Sequence, residues 1–199
     1  GTPGVRIASL VLEASVQDGT FSEYANSDKV RSLIDFGEPG KTGTEDPGDP
    51  SNPGLIADLF TRVGGSNLDR TVSTDAMVRI FAGHVIGDNL WLWRADHVKL
   101  DKENGEKAND PRFELYHQVR IWDMDENLEP VLVDGKRARV DECICKNAIV
   151  VEGNDVKMYG LFAEHTTEDQ MIWKGERGSV SFFQCELPYD VDESYAHTG

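Results

Sequence analysis

Apolar and polar positions alternate along most of this chain, and short β-type runs follow one another with turn residues between them. Residues 5 to 14 (VRIASLVLEA) alternate and are rich in branched aliphatic side chains, which predicts a strand. Residues 30 to 37 (VRSLIDFG) predict a second, with QDGTFSEYANSDK as a loop between them. The stretch 37 to 54 holds four of the chain's eight prolines and five glycines, so it reads as an irregular loop. Regular pattern resumes at 55 to 65 (LIADLFTRVGG), 76 to 88 (AMVRIFAGHVIGD) and 89 to 97 (NLWLWRADH). Residues 101 to 112 are charged and turn-rich, 113 to 125 alternate again, and 130 to 140 suit a hairpin turning at Asp134-Gly135. The last third, 147 to 190, packs short runs most densely. Two of these carry a carboxylate near their end: Glu164 in GLFAEH and Glu186 in FQCELPYD.

Few windows keep a 3.6-residue apolar period beyond two turns, so helix should be scarce. Strands without intervening helices argue against a βαβ fold. The final strands recur at roughly 20–25-residue intervals with small or polar bends, as stacked repeats require. The expected fold is therefore all-β, a right-handed parallel β-helix over residues 1–199 with long loops at 37–54 and 99–140. A β-sandwich is the alternative, because short alternating strands alone do not separate the two. In a β-helix, the 22 residues between Glu164 and Glu186 are close to one coil, which would stack the two carboxylates on one face.

Composition narrows the function. With 36 acidic against 20 basic residues the net charge is −16, a surface that repels phosphate backbones, so nucleic acid is not an expected partner. No run approaches 18 apolar residues, so membrane insertion is not expected. The first residues lack the basic and apolar regions of a signal peptide, so secretion would need a signal already removed or lying upstream. Three cysteines, Cys143, Cys145 and Cys185, offer no zinc spacing. One disulfide to Cys185 and buried free thiols are both open.

Trp91 and Trp93 are two apart and share a strand face, either as stacked core aromatics or as a platform for the apolar face of a sugar. Arg94, Asp96 and His97 close that strand, and Arg94 with Asp96 suits a structural ion pair. Glu164, His165 and Glu186 form the second constellation. A carboxyl set among Trp173, Phe182, Phe183 and Tyr189 would be partly desolvated, stay protonated and donate to a leaving oxygen. Glycoside hydrolysis needs such an acid, with a second carboxylate or positioned water on the other face. The plainer reading makes both glutamates solvated surface charges. Asp96, His97, Glu164 and His165 hold metal-donor atoms, but neighbours on a strand point to opposite faces and converge poorly, so no metal is expected. Calcium on the acidic loop with Glu45, Asp46 and Asp49 is an unspecific possibility. GxSxG, GxGxxG and P-loop patterns do not occur, and no cofactor is expected.

Four blocks in order, NLWLWRADH, AIVVEG, VKMYGLFAEH and FQCELPYD, resemble the second β-helix half of glycoside hydrolase family 55, the exo-acting β-1,3-glucanases or laminarinases, with a pectate-lyase-like fold. The resemblance implies an inverting, exo-type secreted enzyme on β-1,3-glucan polysaccharide, with Glu186 as general acid and Glu164 as a second acid beside it. Trp91, Trp93, Asp96, His97, His165, Gln184 and Tyr189 become its candidate sugar contacts. It further implies a second β-helix domain facing this one across the cleft, so that 1–199 is half of a larger protein. Cys185 and Leu187 flank Glu186 where the family pattern has threonines. A non-catalytic extracellular β-helix, structural or glycan-binding, is the alternative function.

Overall fold

The computed structural model describes residues 3–14, 30–41, 43–64, 73–95 and 144–188. Nine strands run through them: β1 (Arg6–Ala14), β2 (Val30–Phe36), β3 (Gly54–Gly64), β4 (Thr74–Ile80), β5 (Val85–Ala95), β6 (Cys145–Val151), β7 (Lys157–Glu164), β8 (Met171–Trp173) and β9 (Ser179–Glu186). The described residues contain no helix. Odd-numbered strands form one sheet, in the order β1-β3-β5-β7-β9, and even-numbered strands form another, β2-β4-β6-β8. Every pairing is parallel. A sandwich of antiparallel strands is thereby excluded, and the all-β, stacked-strand expectation stands at that level. The expected strands at 113–125 and 130–140, and the whole of the 99–140 loop, lie outside the described residues.

The core lies between the sheets. Ile56, Leu59, Leu90, Leu92 and Leu161 come from one side, and Val78, Ile80, Ile149 and Val151 from the other, all at most 1% exposed. Burying each leucine fully stabilises the fold by about 1.5–3 kcal/mol. Neighbouring strands hold these residues in register, as with Leu59, Leu90 and Leu161. The same apolar column therefore repeats at every level of the stack.

Alternation slips once in every strand of the odd sheet. Ser9, Asp58, Asn89, Gly160 and Phe182 all have positive φ, from 50° to 70°. They occupy one row, between Ala57–Asp88–Tyr159–Ser181 and Leu59–Leu90–Leu161–Phe183. The left-handed residue inserts one position into the inward pattern, so β5 turns Val85 and Gly87, then Leu90 and Leu92, to the core. Asn89 Nδ2 donates to Asp58 Oδ1 at 2.8 Å, tying two levels of the bend together. This row is why the sequence seemed to break between residues 88 and 89. The actual break lies at 81–84 and ends on His84, which begins a second left-handed row with Asp155 and Arg177.

Candidate functional site

Past the bend, the outward positions of the odd sheet make two rows. The first runs Val11–Phe60–Trp91–Phe162–Gln184, and the second, two residues on, runs Glu13–Arg62–Trp93–Glu164–Glu186. Aromatic and carboxylate chemistry thus meet on one face because residues two apart in a strand share a side. Phe60 and Trp91 have ring centroids 4.8 Å apart, and Trp91 and Trp93 stack at 6.3 Å with planes inclined by 27°. Trp91 is 36% exposed and offers a free surface, whereas Trp93 is buried at 5%. Arg62 pairs with Glu13 at the far end of the second row.

Glu164 and Glu186 are direct register partners on β7 and β9. Glu164 is buried at 9%, and the side chain of Glu186 is about one-third exposed at 33%. Gln184 Nε2 donates to Glu186 Oε1 at 2.9 Å. His165 follows Glu164 with φ +62°, so it does not continue the strand alternation. Trp93 Nε1 donates to its Nδ1 at 3.3 Å, and its Nε2 lies 3.5 Å from Glu186 Oε2. The sequence argument that adjacent Glu and His must face apart fails here, because the left-handed turn brings the imidazole round to the carboxylate row. His165 N–H also donates to Glu186 O at 2.8 Å, and its carbonyl accepts from Arg94 Nη1 at 3.0 Å. The Arg94 side chain is fully buried.

The structure therefore gathers Glu164, Glu186, His165, Gln184, Trp91 and Trp93 on one face. Asp96, His97 and Tyr189 lie outside the described residues. The aromatic surround differs from the expected one. Trp173 belongs to the even sheet, Phe182 sits on the bend at 84% exposure, and Phe183 occupies the inward column. Trp93 in the carboxylates' own row, and Phe162 in the row beside it, are the aromatic neighbours by register instead. Cys185 lies on the inward row with Ala163, on the opposite face of β9 from Glu186. Among the described residues, no three histidine, cysteine or acidic side chains are grouped to hold a metal ion. On the acidic loop, Asp49 accepts from Ser51 N–H at 2.8 Å and Ser51 Oγ at 2.7 Å, bonds that hold its carboxyl below the ordinary range.

The model of the LAM55 pectate lyase-like domain matches residues 1–186. The chain belongs to that family. This upholds the resemblance to glycoside hydrolase family 55 carried by the four sequence blocks. The chain is 25% identical over 193 residues to an exo-beta-1,3-glucanase of Streptomyces sp. (strain SirexAA-E / ActE), covering 97% of this chain and 23% of that protein. Its fold is similar to sacteLam55A from Streptomyces sp. SirexAA-E, with a TM-score of 0.62 at 21% identity over 97% of this chain and 25% of the other. It is likewise similar, at a TM-score of 0.59, to a glutamate-to-alanine variant of sacteLam55A in complex with glucose. The chain spans about a quarter of the length of these relatives.

Proposed function

We propose that this chain is a right-handed parallel β-helix forming one wall of a secreted glycoside hydrolase site for β-1,3-glucan, with Glu186 as the proton donor. One observation carries the reading: Glu164 and Glu186 stand in register at the end of an outward face whose neighbouring row presents Trp91. The exposed indole is the surface against which the apolar face of a pyranose packs. Glu186, partly open to solvent and held by Gln184, is the carboxyl within reach of a glycosidic oxygen on that platform.

The pair does not divide into acid and base. Adjacent parallel strands are about 4.8 Å apart, and both side chains leave the same sheet face. An inverting reaction needs its two carboxyls roughly 6.5–9.5 Å apart and on opposite sides of the sugar. Glu164 therefore assists from beside the acid, ordering it or holding a sugar hydroxyl, and the attacking water is activated from the other wall. We assign that wall to a second β-helix, which would make the site exo-acting by closing the cleft behind the terminal sugar. The family membership and the similarity to an exo-beta-1,3-glucanase support this reading.

The test is glucose release from laminarin by the full-length protein, with both walls present, and by its Glu186→Gln variant. Removing a general acid that protonates the leaving oxygen lowers kcat by about 10²–10⁴-fold while laminarin binding persists. Equal rates in both proteins would reject Glu186 as donor. Binding without release from either would favour a glycan-binding β-helix.

A further inference from the structure

Trp93 and His165 are both buried, and the indole nitrogen lies 3.3 Å from imidazole Nδ1. An indole N–H only donates, so Nδ1 must be the bare, accepting nitrogen. The ring proton then sits on Nε2, the atom that faces Glu186 Oε2 at 3.5 Å. A proton on Nδ1 would set donor against donor across the 3.3 Å contact. The main chain of His165 is fixed on both sides of the ring's attachment, its N–H donating to Glu186 O and its carbonyl accepting from the Arg94 side chain at Nη1. The charged groups met here are Glu186 on β9, Arg94 on β5 and Glu164, the last residue of β7.

We propose that Trp93 is a positioning residue that acts through His165: its indole N–H fixes the imidazole as the Nε2–H tautomer, which presents a donor to the Glu186 carboxyl. Gln184 Nε2 donates to Oε1 and His165 Nε2 faces Oε2 at 3.5 Å, so the two side chains flank the carboxyl from either side. The role for Trp93 is distinct from a sugar platform, which its burial denies it and which Trp91 supplies. The catalytic half of the proposal rests on Glu186 being the proton donor; the tautomer half does not.

The experiment is nitrogen NMR of ¹⁵N-histidine-labelled protein at neutral pH, with the His165 signal assigned by its loss in His165→Gln. The native protein is expected to show Nδ1 bare and Nε2 protonated. Trp93→Phe keeps the ring stack and removes the donor, so the Nδ1–H form should appear. In laminarin kinetics, Trp93→Phe should lower kcat about 10–100-fold, the scale for losing a group that orients a functional side chain. KM should stay within about twofold, because no sugar contact is removed. A native Nδ1–H ring, or a tautomer indifferent to Trp93→Phe, overturns the proposal, and so does a loss confined to KM. The native spectrum alone decides the tautomer even where the variant fails to fold. If the tautomer responds as expected but no form of the protein releases glucose, the tautomer set by Trp93 stands and the hydrolase reading falls.

Discussion

At the scale of single residues, burial separates two thiols that the sequence could not distinguish. Cys145 is fully buried; Thr74 Oγ donates to its sulfur at 3.2 Å and the thiol donates to Asn147 O at 3.3 Å. Burial pushes this thiol from an ordinary 9.0 up to about 11. The unfolded chain therefore releases the proton first as pH rises. The stability contributed by the neutral thiol is fully present below pH 9.0 and falls away between there and about 11. Urea unfolding followed from pH 8 to 11 should show a loss on the order of 2–3 kcal/mol attributable to this group, absent in Cys145→Ala. Cys185 is also a free thiol but exposed, so of these two only Cys185 should react with a maleimide in the native protein at neutral pH. Labelling of Cys145 at the same rate would contradict the burial argument. No disulfide joins this pair, and Cys143 lies outside the described residues.

At the scale of elements, alternation found the strands but not the places where alternation slips. The runs at 5–14, 30–37 and 55–65 became β1, β2 and β3 almost as read, because β-branched residues in alternation pack well on a pleated surface. The left-handed row was hidden because Ser9, Asp58 and Asn89 look like ordinary polar, outward positions. The same blindness concealed His165, whose turn decides that it meets Glu186. Asn89 tolerates φ +57° and bonds Asp58 across the bend. Asn89→Val should cost about 2–3 kcal/mol, combining a β-branched side chain in the left-handed region with a lost hydrogen bond. Phe182, at φ +64° and 84% exposed, gains little from its side chain in the described structure. Phe182→Gly should therefore be neutral or stabilising by up to about 1 kcal/mol. Chemical denaturation of both variants checks the pair, and the opposite order of stabilities would mean that the bend is not the constraint.

At the scale of the molecule, each described strand pairs with the described strands two places away in sequence, so stability accumulates level by level. This periodicity made Glu164 and Glu186 legible as a pair: an offset of 22 residues is one level, and only β8 with its short bends lies between β7 and β9. Trp93 is an equally direct neighbour of Glu164, yet 70 residues separate them in sequence, including the 96–143 stretch, so no repeat spacing could connect them. The stack is also uneven. Inward residues of β5 are sealed, with Leu90 at 1% and Leu92 at 0%, while the same column is 42% exposed at Leu10 of β1 and at Phe183 of β9. Glu164 stands on an inner strand and Glu186 on the outermost described one, so the carboxylate pair straddles a steep gradient of local stability. Amide exchange should be slowest in β5 and its neighbours β3 and β7, and faster by orders of magnitude in β1 and β9. Low urea should then open β9 before the core unfolds. The Glu164–Glu186 register, and the contact of His165 with Glu186, should be lost below the midpoint at which Trp91 and Trp93 fluorescence reports global unfolding. Uniform exchange across the odd sheet, with site and core melting together, would show instead that β9 is sealed as firmly as the strands beneath it.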